Sequence, residues 1–217
     1  MNKTTVFPSM SQTGLLMILV IFAVDTSKAQ NGPFGYENRR IISEKKFHVQ
    51  YEEVVINKSV EEVWAEVAGN FGTAGEISKS TNSSYSLSPG KLSGLGAERY
   101  LNIDFQGKTV EAKERIIEFK ESTDHNEFTY DVYESQGSPV QVKVHNTWVV
   151  RKGADGKTYL GTVFIYRAKF APLTGIIGKK IEQSGSLRNG VLSYKHYLET
   201  GEKKVAPEKL NLLYPLQ

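Results

Sequence analysis

The residues of this 217-residue chain that could do chemistry are few and scattered along it. Glu114 shares the alternation of Val110, Ala112 and Ile116, so a strand there would turn it inward with them. Desolvation would raise its pKa and make it a general acid, which marks it as a weak catalytic candidate. The competing reading pairs it at the surface with Arg115, Lys113 or another neighbour, as most charged residues in a sheet are paired. Asn146 is the polar exception on a face otherwise made by Val140, Val142, Val144, Trp148 and Val150. A buried amide needs partners, and either a ligand or a neighbouring loop could supply them.

Other chemistries find little support. The four histidines, His48, His125, His145 and His196, show no metal-ligand spacing, so no metal and no cofactor are expected. His145 and Lys143 alternate with valines and are expected to face water, and His196 stands as a favourable charge near a helix C-terminus. The chain has no cysteine, which excludes thiol catalysis and cysteine-based metal sites. The stretch GLGAER (Gly94 to Arg99) resembles a dinucleotide fingerprint, but it lacks the third glycine and leads into a strand instead of a helix. No Ser/His/Asp order or paired-carboxylate motif names an enzyme, so the question of catalysis stays open.

The elements that must position these residues are mostly strands. Residues 47–57 alternate, with Phe47, Val49 and Tyr51 on one face; the pattern slips at Glu52 and Glu53 before Val54 and Ile56, which suggests a bulge. SVEEVWAEVAGNFG (59–72) then reads as an amphipathic helix. Ser59 and Glu62 form a capping box, and Val60, Val63, Trp64 and Val67 share one face. A short second turn or helix fits between Phe71 and Ser78. From Lys79 to Lys169 six strands follow, joined by tight turns that imply antiparallel pairing; Arg115, Ile117 and Phe119 fall on the face opposite Glu114. A long helix opens at Pro172 and carries Leu173, Ile177, Ile181, Leu187, Val191, Tyr194 and Leu198 at helical spacing. It also holds Gly175, Gly178, Gly185 and Gly190, each costing about 1 kcal/mol against alanine in a helix interior. Close packing on a curved sheet and space for a ligand are the two reasons that would offset that cost.

The N-terminus reads as an export signal, with Lys3, an apolar run from Leu15 to Val24, and small residues before Ala29. The run is shorter than the roughly 20 residues of a membrane span, so cleavage after Ala29 is expected, without stable membrane insertion thereafter. Residues 1–29 are then a signal peptide, 30–46 a polar leader, 47–200 the folded domain and 201–217 a tail that either folds back or stays mobile. A periplasmic or extracellular destination follows. The net charge of +3 is too small to suggest a nucleic-acid partner.

This order of elements resembles the START-like helix-grip fold of the SRPBCC superfamily, in particular its polyketide cyclase/dehydrase and lipid-transport family. The stretches that carry the resemblance are SVEEVWAEVAGNFG, GLGAERYL (94–101), TVEAKERIIEF (109–119), FTYDVYES (128–135) and Ser138-Pro139-Val140. It implies an α+β domain whose curved seven-stranded antiparallel sheet grips a long C-terminal helix, with two short helices after strand one closing one end of a cavity. It further implies a monomeric binding protein for a hydrophobic or amphipathic small molecule, lipid or polyketide-like, held between sheet and helix. A cyclase or dehydratase acting on such a ligand, and a partner-binding module, are the alternatives. The residues expected against the ligand are Phe71, Tyr130, Asn146, Trp148, Phe164, Tyr166, Ile177 and Ile181, although large aromatics on central strands suit a plain core equally well.

Overall fold

The computed structural model describes residues 47–105, 107–140 and 145–215. The signal peptide and leader expected over 1–46 lie outside them, as do Val142, Lys143 and Val144. Seven strands form one antiparallel sheet: β1 (His48–Ile56), β2 (Thr81–Ser86), β3 (Glu98–Phe105), β4 (Lys108–Lys120), β5 (His125–Gln136), β6 (His145–Lys152) and β7 (Thr158–Tyr166). Their order across the sheet is β1-β7-β6-β5-β4-β3-β2, so the first strand closes against the last.

After β1 comes α1 (Val60–Gly69), where the capping box forms as the sequence predicts. Ser59 Oγ accepts from the Glu62 N–H at 3.2 Å, and the Glu62 carboxylate accepts from the Ser59 N–H at 3.0 Å. Val60, Val63, Trp64 and Val67 are buried. The second short helix is a single 3-10 turn, Ala74–Glu76.

The concave face of the sheet follows from the register. Arg99 is opposite Glu114, Glu114 opposite Val132, Ile116 opposite Tyr130, Tyr130 opposite Asn146 and Asn146 opposite Phe164, so these side chains share one face. Bulges interrupt the β4–β5 ladder between Lys113 and Glu114 and between Ile116 and Glu118, bending the strands around the interior. The second bulge corrects the expected parity: the extra residue at Ile117 moves Phe119 onto the inner face, where its ring lies 5.3 Å from Trp64.

The bulge expected in β1 does not form. Its pairing with β7 runs unbroken from His48–Tyr166 to Ile56–Thr158, and the inner face is His48, Gln50, Glu52, Val54 and Ile56. Tyr51 points outward and is 54% exposed. Of the two polar residues that face inward, Glu52 meets Arg188 of the overlying helix at 3.8 Å, whereas Gln50 Oε1 is buried without a hydrogen-bond partner among the described residues. The phase of this strand therefore does not follow its apolar residues.

The expected long C-terminal helix is bent and broken. A 3-10 turn (Ala171–Leu173) leads into α2 (Thr174–Gln183), and α3 (Ser186–Thr200) restarts after Gly185, whose left-handed φ of +64° only glycine adopts readily. Beyond Gly201 the chain folds back. In α4 (Pro207–Leu213), Leu210 is fully buried against Leu192 and Val205. His196, near the end of α3, is buried, with Nδ1 at 3.0 Å from the Tyr214 hydroxyl and Nε2 at 2.9 Å from Glu202.

Candidate functional site

The curved sheet and the α2–α3 pair enclose a cavity of about 250 Å³. That is several times the ~30 Å³ a water occupies and near the lower end of small-molecule pockets. One wall is aromatic, made by Phe71, Phe128, Tyr130, Trp148 and Tyr194; the opposing wall is Leu101, Ile103, Phe105 and Val110 from β3 and β4. Phe71 reaches the wall because α1 ends at Gly69 and the chain turns inward, placing its ring 5.6 Å from Tyr130 and 5.8 Å from Phe128. Trp148 and Tyr194 meet across the sheet–helix boundary at 5.1 Å. The rim toward solvent is polar, with Ser78, Ser80 and Thr81 before and in β2, Ser138 before β6 and Ser186 at the start of α3.

The polar centre is Arg99. Its Nε and Nη2 donate to one oxygen of Glu114 at 2.6 and 2.5 Å, and its Nη1 donates to the Phe71 carbonyl at 2.8 Å. The guanidinium carbon lies over aromatic surface, 4.2 Å from the Phe71 ring centre and 4.9 Å from that of Tyr130. Arg99 lines the cavity, whereas Glu114 sits behind it. Burial raises the Glu114 pKa, and the Arg99 charge offsets part of that rise. The surface pairing weighed for Glu114 is therefore not the one that forms: its partner is Arg99 across the β3–β4 ladder, while Arg115 reaches Glu98 at 2.6 Å. Burial, with the nearby Glu114 charge, also holds the Tyr130 hydroxyl well above the usual phenol range. Burial pushes Tyr194 up to about 12.

Of the residues expected against a ligand, Phe71, Tyr130, Trp148, Phe164 and Ile181 line this cavity. Ile177 lines an adjoining space of about 290 Å³ that shares Phe105, Val110, Pro139 and Ile181 with it. Asn146 and Tyr166 stand apart. Asn146 accepts the Thr162 hydroxyl of β7 at 2.5 Å and serves the Tyr130 hydroxyl, so a neighbouring strand and not a loop satisfies its amide. Tyr166 stacks on Phe164 and donates to the Gly178 carbonyl at 3.2 Å, tying β7 to α2.

Sequence reasoning passed over Arg99, although it shares the alternation of Leu101, Ile103 and Phe105 and the same inward logic applied to Glu114. Two of the four helix glycines match the two expected reasons, and Gly185 instead serves the left-handed break. A Cβ at Gly178 would collide with the His48 ring, so close packing holds that position. Gly190 lines the cavity, and a Cβ built there meets no atom within 4 Å outside its own helix.

Neither a protein-family model nor a curated protein sequence matches the chain. Solved structures do match in fold. A START superfamily protein from Mycobacterium smegmatis superposes with a TM-score of 0.58 at 14% identity, over 71% of this chain and 99% of its own. Norcoclaurine synthase from Thalictrum flavum, a point mutant in complex with a transition-state analogue, superposes with a TM-score of 0.54 at 15% identity, over 71% and 96%. The chain has the START-like helix-grip fold. Ara h 8.0201 shares it with a TM-score of 0.52 at 16% identity, over 71% and 99%. The cavity lining draws on α1 through Val67, on the β2 edge through Thr81, on Ser138 and Pro139, and on Ile181 and Ser186 to either side of the α2–α3 break.

Proposed function

We propose that this protein binds a hydrophobic or amphipathic small molecule, lipid or polyketide-like, in the helix-grip cavity. The observation that carries the reading is the pairing of an apolar, aromatic-walled cavity with a single polar centre, Arg99, flanked by the Tyr130 and Tyr194 side chains. Because Glu114 neutralises Arg99, the centre suits a neutral polar group such as a carbonyl or hydroxyl better than a free carboxylate, whose charge would find no net positive partner. The proteins it resembles in fold include a norcoclaurine synthase solved with a transition-state analogue, which supports a small-molecule site in this scaffold. Binding fits better than catalysis here. The carboxylate among the described lining residues is Asp104 on the outer rim, already accepting from the Gly107 N–H at 2.7 Å, and Glu114 is engaged by Arg99. Export through a cleaved signal peptide, with a monomeric carrier acting in the periplasm or outside the cell, is part of the same proposal.

Native mass spectrometry of the mature chain, produced with its signal peptide and followed by organic extraction, tests it. A stoichiometric apolar adduct is the expected result, together with a mass beginning after Ala29. A clean apo mass, combined with no uptake of an apolar fluorophore such as N-phenyl-1-naphthylamine, overturns the reading.

A further inference from the structure

Beside the cavity, the segment joining β7 to α2 exposes an apolar stripe. Phe170, Leu173 and Ile176 recur every three residues through the 3-10 turn and the first turn of α2, and are 62%, 40% and 59% exposed. The other side of the same segment is buried: Thr174, Gly178 and Ile181 pack inward, and Thr174 Oγ1 donates to the Ala171 carbonyl at 2.7 Å. The stripe is therefore held outward by a fixed turn. The exposed Lys179 and Lys180 stand one turn beyond Ile176; Glu182 follows on the next turn. Ile177, next to Ile176, and Lys180 line the space that adjoins the cavity through Phe105, Val110, Pro139 and Ile181.

We propose that this stripe docks the protein peripherally on an anionic lipid surface, with the adjoining end of the cavity turned toward the bilayer. Apolar side chains on a protruding turn, with the exposed Lys179 and Lys180 ammonium groups one turn beyond, match the acyl–headgroup boundary of such a membrane: the three apolar residues enter and these lysines meet lipid phosphates. A protein partner is the weaker match, because three side chains on one turn present far less area than a stable protein interface buries. None of the described helices is long and apolar enough to span a membrane. The inference goes beyond ligand binding and does not depend on it.

Co-sedimentation of the folded protein with vesicles tests it. The wild type is expected to pellet with vesicles of phosphatidylcholine and phosphatidylglycerol, and to do so less with phosphatidylcholine alone or as salt rises. Phe170→Ser combined with Ile176→Ser is expected to abolish pelleting, and Lys179→Glu with Lys180→Glu to weaken partition by about tenfold or more. Leu212→Ser, at an 83% exposed position on α4, is the control and should bind as wild type. Wild type that stays in the supernatant with anionic vesicles, or a Phe170/Ile176 variant that pellets normally, overturns the proposal. Uptake of N-phenyl-1-naphthylamine by the same variants reads the cavity separately, so loss of membrane docking and loss of ligand binding are told apart.

Discussion

Arg99 and Glu114 are register partners on β3 and β4, and each buries its charge almost entirely against the other beneath Phe71. A buried pair of this kind contributes little net stability over an apolar replacement, but removing one member leaves the other uncompensated. Arg99→Ala should therefore cost about 3–5 kcal/mol in urea unfolding, and Arg99→Met with Glu114→Leu should recover most of it. If the single variant unfolds at the wild-type urea midpoint, the pair is not holding β3 against β4.

Gly190 offers the converse case, in which a larger side chain is tolerated. Its missing Cβ opens into the cavity, so Gly190→Leu should fill ligand space while removing a helix-interior glycine. The expected outcome is stability unchanged or raised by roughly 0.5–1 kcal/mol, with uptake of N-phenyl-1-naphthylamine reduced at least tenfold. Full uptake by this variant would place the binding volume elsewhere.

At Gly178 the sign reverses. A Cβ there meets the His48 ring, which the β1 backbone and Tyr166, with ring centres 5.3 Å apart, hold in place. Gly178→Ala should cost about 1–3 kcal/mol by overpacking despite alanine's better helix propensity. His48→Ala in the same chain should relieve part of that cost, and a double-mutant cycle by thermal unfolding measures the coupling.

How far the sequence could be read is seen in the same residues. The strand count, the helix after β1 and its buried face were legible because capping boxes and two-residue alternation are local signals. The phase of β1 was not, because polar Gln50 and Glu52 face inward, Glu52 toward Arg188, far away in the chain. The Ile117 bulge was not, because it is set by the partner strand. In the site, Tyr130 and Trp148 stood out by residue type and strand position, whereas Phe128 and Tyr194 of the same wall did not, and the roles of Asn146 and Tyr166 depended on Thr162 and Gly178, partners that no spacing rule supplies.

Alkaline pH should expose the buried phenols. Tyr130, Tyr166 and Tyr194 all have folded-state pKa values raised chiefly by burial, Tyr194 to about 12. A group whose pKa is higher when folded stabilises the protein below its unfolded value and loses that contribution as pH rises past it. Stability should hold to about pH 10 and then fall, with these tyrosines ionising only as the chain unfolds. Absorbance at the tyrosinate band followed beside circular dichroism checks this: ionisation of these tyrosines well before loss of structure would contradict their burial.

The tail should act on the cavity rim through one residue. Lys204 has a positive φ of 58°; its N–H donates to the Ile77 carbonyl at 2.9 Å, and its Nζ donates to the carbonyls of Ser78 at 3.0 Å and Thr81 at 2.6 Å. Ser78 and Thr81 are rim residues, so the side chain spans the edge of the opening. Its neighbour Val205 is anchored by Leu210 and Leu192, which keeps the backbone in place when the lysine side chain is trimmed. Lys204→Ala should thus leave global unfolding within about 1 kcal/mol of wild type, since the site is partly solvated, yet raise hydrogen exchange across residues 76–82. Leu210→Ala removes the anchor itself and should cost about 2–5 kcal/mol while loosening the whole segment after Gly201. Hydrogen exchange read by mass spectrometry separates the two. A rim that exchanges no faster in Lys204→Ala would mean that the 3-10 turn and β2 hold the opening without help from the Lys204 side chain.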